Sequence, residues 1–243
     1  MALYLGQRGY DVAVHYAGSE TGALDTVAQL EALGRRGVAL QSDLLDEKAT
    51  QTLVSRAVDA LGGPLTCLVN NASIFEYDTI KSGTRESWDR HIESNLRAPF
   101  VLTQHFADQV SAPVKDAMGE PVAQGLVINM LDQRIHKLTP EFMSYTIAKM
   151  GLWAMTRTTA QALAPRVRVN GIGPGPTLQG HRQSKDHFDR QRAATILKRG
   201  ANPSDITAAL GYFLDAPAVT GQMLAVDGGQ HLAWETPDVL GVE

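Results

Sequence analysis

Several things are scarce in this sequence, and each shortage removes a class of protein. A single cysteine, Cys67, stands among 243 residues. No disulfide can form within the chain, and a reducing, cytoplasmic setting is expected. No apolar run reaches the roughly 18 residues needed to cross a bilayer. The N-terminus lacks a charged segment followed by an apolar stretch and a small-residue cleavage site, so no signal peptide is read there. Basic blocks are missing and the formal net charge is −4, which argues against nucleic acid or anionic membrane as partners. The seven histidines show no metal-ligand spacing. Linkers, repeats and low-complexity stretches are lacking too, so residues 1–243 read as a single domain. A hydrophobic content of 44% is ordinary for a soluble enzyme or binding domain.

What is there alternates. Short apolar runs at 11–16, 37–41, 65–69, 125–130, 166–172 and 222–226 read as strands. Residues 1–8 look like the last turns of a helix ending at Gly9. Helical spacing recurs over 19–33, where Ser19 could cap, and over 46–61, 84–110, 142–164 and 203–214, the last capped by Asn202 or Ser204. Segment 112–124 reads as a loop. Polar segment 177–199 reads as a substrate loop with a short helix, in which His181, His187, Gln179, Arg182 and Gln183 could face substrate. Strands that are continuously apolar and alternate with helices indicate a parallel sheet covered on both faces, the doubly wound α/β class.

Tyr145 and Lys149 stand four apart in the 142–164 helix and therefore share a face. An ammonium beside a phenol favours the phenolate, so the pair is expected to lower the Tyr145 pKa toward working pH and to make a proton donor. Asp132 lies thirteen residues before Tyr145, just past a strand. It is either a partner of the phenol or a carboxylate that caps its own loop.

Asn70-Asn71-Ala72-Ser73, Asn95, Tyr145-xxx-Lys149 and Pro174-Gly175, in this order and spacing, resemble the short-chain dehydrogenase/reductase family over nearly the whole chain. That resemblance implies a nicotinamide-dependent oxidoreductase with a Rossmann sheet. It implies that Asn95 holds a water linking Lys149 to solvent, and that Lys149 binds the nicotinamide ribose. Where the family usually has Ser, this chain has Asp132. An ionised carboxylate would repel a developing alkoxide but suits a reaction in which a ring nitrogen is protonated. The Asp–Tyr spacing, Asn71-Ala72-Ser73-Ile74-Phe75, Val14-His15-Tyr16 and Gly173-Pro174-Gly175-Pro176-Thr177 are similar to stretches of the pteridine and dihydromonapterin reductases. The implied reaction is reduction of a dihydropterin C=N bond, with Tyr145 and Asp132 organising the proton and Phe75 stacking on the heterocycle. Cofactor contacts implied are Tyr16, Ser19, Asp43, Leu44, Asn71, Ala72, Ser73, Tyr145, Lys149, Pro174, Gly175 and Thr177. No carboxylate follows strand 11–16 before Glu20, which points to NADPH over NADH. An apolar Tyr145 helix is similar to the one that builds four-helix interfaces in this family, implying a homotetramer.

The family's first strand and its Gly-rich phosphate loop have no counterpart here. Expected consequences are two strands without a hydrogen-bonding neighbour, weak dinucleotide affinity, and a translation start upstream of Met1. Two other functions stay open: a ketone or 3-oxoacyl reductase of the same family, and a non-catalytic dinucleotide sensor or truncated remnant.

Overall fold

The computed structural model describes residues 1–180 and 183–235. Strands β1 (Val12–Tyr16), β2 (Gly37–Gln41), β3 (Cys67–Asn70), β6 (Gly125–Met130), β7 (Val167–Pro174) and β8 (Met223–Val226) alternate with helices α1 (Ala2–Gln7), α2 (Glu20–Ala32), α3 (Glu47–Leu61), α4 (Arg85–Ile92), α5 (Ala98–Gln109), α6 (Met143–Leu163), α7 (Lys185–Ala193) and α8 (Pro203–Asp215). The segment expected to be a plain loop holds a two-residue antiparallel hairpin, β4 (Val114–Lys115) with β5 (Pro121–Val122). Asp116 closes it by accepting from the backbone of Met118 and Glu120.

All other strand pairs are parallel. They form two sets, β1–β2 and β3–β6–β7–β8. Among the described residues β1 pairs only with β2, and β3 only with β6.

Side-chain alternation places the layers. Leu126, Ile128 and Met130 of β6 pack with Leu5 of α1 and Leu210 and Phe213 of α8. Val127 points the other way, into Phe106 and Val110 beside α5 and Ala160 of α6. Successive strand residues face opposite sides, and β6 is buried at every position, so both faces are covered and the doubly wound class holds.

The expected helix 84–110 is broken in its hydrogen bonding. α4 and α5 are joined by a π-turn at Glu93–Arg97 that contains Asn95. Capping follows the sequence at α3, where Asp46 accepts from Lys48 and Ala49 backbone. At α2, Ser19 takes the N-cap position but makes no capping hydrogen bond. At α8, Asp205 accepts from the Asn202 backbone at 2.8 Å.

Candidate active site

Parallel strands bring their C-terminal ends to one edge, so Tyr16, Asn70, Met130 and Pro174 mark the rim where a site can form. Below that rim a buried chain of hydrogen bonds ties strand to strand to helix. Asn70 Nδ2 donates to Asn129 Oδ1 at 2.8 Å, and Asn129 Nδ2 donates to Thr156 Oγ1 of α6 at 2.9 Å. Buried amides are stable only when paired, and this pairing sets α6 against β6.

Asp132 lies two residues beyond β6 and divides its carboxylate. Oδ1 accepts from Arg134 N at 2.7 Å and caps the short 3-10 turn Gln133–Ile135. Oδ2 accepts from the Tyr145 hydroxyl at 2.9 Å. Both readings of Asp132 are therefore true, one for each oxygen. Tyr145 and Lys149 are buried on α6. Lys149 Nζ donates to the Met130 carbonyl at 2.7 Å and lies 5.6 Å from the centroid of the Tyr145 ring.

Aromatic rings line the approach. Phe75 stacks on Phe142 at 4.3 Å and 8°, and meets Tyr145 edge-on at 4.7 Å. The Arg134 guanidinium sits 5.1 Å from the Phe142 centroid. Phe142 holds φ 54, a left-handed conformation unusual for a bulky residue. Neither Phe142 nor Arg134 was marked by the sequence. An aromatic residue next to a helix start was the available signal for Phe142.

The cofactor-side candidates separate into two groups. Tyr16, Ser19, Leu44, Asn71 and Ala72 line a cavity of about 1000 Å³ that lies between β1 and β3. Asp43, Ser73, Pro174, Gly175 and Thr177 are not on its walls. Asp43 Oδ1 accepts from Leu45 N at 2.9 Å, and the Ser73 hydroxyl reaches toward Tyr145. At the end of β7, Gly175 runs so near Asp227 that a Cβ would come within 2.6 Å of the Asp227 Cβ. Thr177 Oγ1 donates to the Gly175 carbonyl.

A family model described as enoyl-(acyl carrier protein) reductase matches residues 1–231. The chain belongs to the short-chain dehydrogenase/reductase family. It is 28% identical to 3-oxoacyl-[acyl-carrier-protein] reductase FabG of Staphylococcus epidermidis over 237 residues, covering 96% of this chain and 93% of that protein. It is 31% identical to 3beta-hydroxysteroid dehydrogenase 1 of Eggerthella lenta, covering 96% and 88%. Among solved structures, FolM alternative dihydrofolate reductase 1 from Brucella suis, in complex with NADP, is 40% identical with a TM-score of 0.89, over 98% of this chain and 92% of that one. The Brucella canis protein of the same name, also with NADP, is 38% identical with a TM-score of 0.87 over the same shares.

One effect expected of a short-chain reductase is reversed here. Lys149 was to lower the Tyr145 pKa, yet that pKa lies well above the usual tyrosine value. Burial is the main cause, followed by the adjacent Asp132, while Arg134 and Ser73 pull weakly the other way. A phenolate facing a carboxylate in a dry site is doubly disfavoured. Lys149, engaged with Met130, is itself lowered to about 8 by burial. Tyr145 is thus a protonated O–H donor rather than a phenol poised to ionise. The Asn95 side chain clamps one residue, accepting from Ile74 N and donating to Ile74 O, both at 2.8 Å.

In the 177–199 segment, Gln179 donates to the Gln183 carbonyl and Gln183 to Gln191. His187 gives its backbone N–H to Ser184. His181 and Arg182 lie outside the described residues. Cys67 is half-buried against the core and lines the cavity, and burial pushes its thiol up to about 12. Among the described residues, no helix is long and apolar enough to cross a membrane.

Proposed function

We propose that the protein reduces a C=N bond of a dihydropterin-type substrate, using NADPH. The observation that carries this reading is the 2.9 Å hydrogen bond from the Tyr145 hydroxyl to Asp132 Oδ2. A ketone reductase benefits from donors converging where an alkoxide develops; a carboxylate at that point would oppose it. A ring nitrogen that gains a proton and becomes an amine is compatible with a carboxylate nearby. The Phe75 ring, edge-on to Tyr145, gives a flat heterocycle a surface to stack on. The two FolM proteins, named as dihydrofolate reductases and bound to NADP, are 38% and 40% identical to this chain and support the same substrate class.

The residues present suit the two ends of NADPH. Tyr16 and Ser19 line the cavity at the end of β1. There Ser19 offers a hydroxyl to a 2′-phosphate, and the nearest carboxylate, Glu20, accepts from Tyr16. Tyr145 and Lys149 serve the nicotinamide end, where Lys149 meets the ribose. Bound there, NADPH supplies the hydride, which goes to carbon. Asp132 and Tyr145 organise the proton that balances it, which is drawn from solvent and goes to nitrogen, so Tyr145 stays protonated. Asn95 keeps Ile74, and with it Phe75, in place through two backbone hydrogen bonds. The assembly we propose is a homotetramer, with Phe100 of α5 and Ile147 and Met150 of α6, all exposed, covered by a second copy.

The test is NADPH oxidation by the purified protein against dihydropterins, dihydrofolate, ketones and 3-oxoacyl thioesters. Turnover of the dihydropterin group at a kcat/KM at least about tenfold above the carbonyl group is expected. Turnover of carbonyl substrates alone sinks the reading. Light scattering checks the assembly: a particle at one or two multiples of 26.2 kDa excludes the tetramer.

A further inference from the structure

Helix α6 carries Tyr145 but begins without a cap of its own. Its N-cap residue is Phe142, whose side chain has no oxygen to offer the first helical N–H groups. Asp78 fills that role from 66 residues upstream: its Oδ1 accepts from Ser144 N at 3.2 Å. A carboxylate at a helix N-terminus also meets the positive end of the helix dipole. The same carboxylate accepts the Ser144 hydroxyl through Oδ2, and more weakly that of Ser87 at 3.4 Å. Ser144 Oγ in turn lies 2.6 Å from His91 Nδ1. At the far side of the ring, His91 Nε2 is 3.0 Å from Glu76 N. Asp78, Ser144 and His91 are all at most 3% exposed.

The protons in this chain have one arrangement. A backbone N–H can only donate, so Nε2 is the acceptor and the imidazole proton is on Nδ1. Nδ1–H then donates to Ser144 Oγ, and the serine hydroxyl donates to Asp78. Burial holds the His91 pKa below its usual value, which keeps the ring neutral. Three separate segments are joined: the loop bearing Phe75, helix α4, and the first turn of α6. The two ends of the chain adjoin active-site groups. Ser144 precedes Tyr145, Glu76 follows Phe75, and the His91 ring is 6.0 Å from the Tyr145 ring.

We propose that Asp78, Ser144 and His91 are positioning residues that fix the Tyr145 hydroxyl relative to Phe75, and so relative to a substrate stacked there. This rests on the reaction proposed above only in needing a substrate that stacks on Phe75 within reach of the Tyr145 hydroxyl. None of the three lines the cavity between β1 and β3, and none is among the residues proposed to contact NADPH, so a small change in cofactor affinity is expected. Misplacing a reacting group by about 1 Å can cost on the order of a hundredfold in rate.

The experiment uses the full chain and three variants, Ser144→Ala, Ser144→Thr and Asp78→Asn. Nitrogen NMR of the imidazoles reads the His91 tautomer in the wild type and needs no substrate. The Nδ1-protonated form is expected; an Nε2-protonated or cationic ring at neutral pH overturns the proposal. For S144A, kcat is expected to fall roughly ten- to a hundredfold while the NADPH Kd stays within about twofold, and S144T should recover kcat to within about threefold. Wild-type kcat in S144A, or equal losses in S144A and S144T, overturns it. If S144A does not fold, D78N takes its place with the same expected kcat loss and NADPH Kd. Kinetics are run on whichever substrate class the wild type turns over. Failure of the pterin reading therefore appears in the wild-type panel, and failure of this proposal appears only in the variant ratios.

Discussion

The two halves of the sheet are built to different standards. In the four-stranded half, β6 is buried along its whole length and β7 nearly so, with helices pressed on both faces. In the two-stranded half, no residue of β1 or β2 is fully buried, and the cavity runs along β1. The groups proposed for proton chemistry, Asp132, Tyr145 and Lys149, sit on or beside the well-packed strands. Those proposed for the adenosine end of the cofactor sit on the other half or in the cleft. Proton transfer tolerates little positional error, whereas holding a nucleotide does not demand the same precision of its walls. The difference follows the gap between β1 and β3, across which neither strand is paired among the described residues, and β8 in the four-stranded half is likewise only partly buried.

The sharpest way to separate the halves is Tyr145→Phe. Removing the O–H is expected to lower kcat by roughly 10²–10⁴, while NADPH titration by fluorescence returns a Kd within about threefold of wild type. Joint loss of turnover and binding would erase the distinction. Packing offers the next contrast. Ile128→Ala in β6, at a site with 0% exposure, should destabilise by about 2–5 kcal/mol in urea unfolding. Val14→Ala in β1, on the cavity wall, should cost less than about 1 kcal/mol. Equal costs would show that the halves are alike.

Lys149→Met sharpens the comparison from inside the well-packed half. The folded-state pKa of Lys149 is about 8 against an ordinary 10.5. Between these values the unfolded chain binds more protons than the folded one, so the wild type gains stability as pH rises through that window. Below pH 8 the buried ammonium costs the fold on the order of 3 kcal/mol. K149M should therefore abolish turnover yet melt higher than wild type at pH 7, with the gap closing between pH 8 and 10.5. A lower Tm at pH 7 would contradict this. The smallest expected effect belongs to the other half: Ser19→Ala should raise the NADPH Kd roughly three- to tenfold, the loss of one hydrogen bond to a charged group, and leave the NADH Kd unchanged. An equal rise for both cofactors would remove Ser19 from phosphate recognition.

Legibility in the sequence follows the range of the interaction. Strands 37–41 and 125–130 could be bounded to the residue because continuous apolar runs report burial directly. The Asp132–Tyr145 contact was legible because a family spacing encodes it, although the direction of its effect on the phenol was not. That direction is set by burial and by Asp132 itself, and the depth of burial is a tertiary property that no local pattern announces. The π-turn at Asn95 escaped because its residues have ordinary helical periodicity. The Asp78–Ser144–His91 chain escaped because Ser144 lies 53 positions from His91 and 66 from Asp78, and nothing local to any of them is unusual.

The π-turn at Glu93–Arg97 has a consequence for the history of the chain. A π-turn carries one residue more than the α-helix it interrupts. Deleting a single residue there would leave a straight, intact helix and would look harmless on any secondary-structure criterion. It would also rotate α5 by about 100° relative to α4. The extra residue works as a phase shifter: it sets which face α5 turns to α3 and α6 while α4 keeps His91 against Ser144.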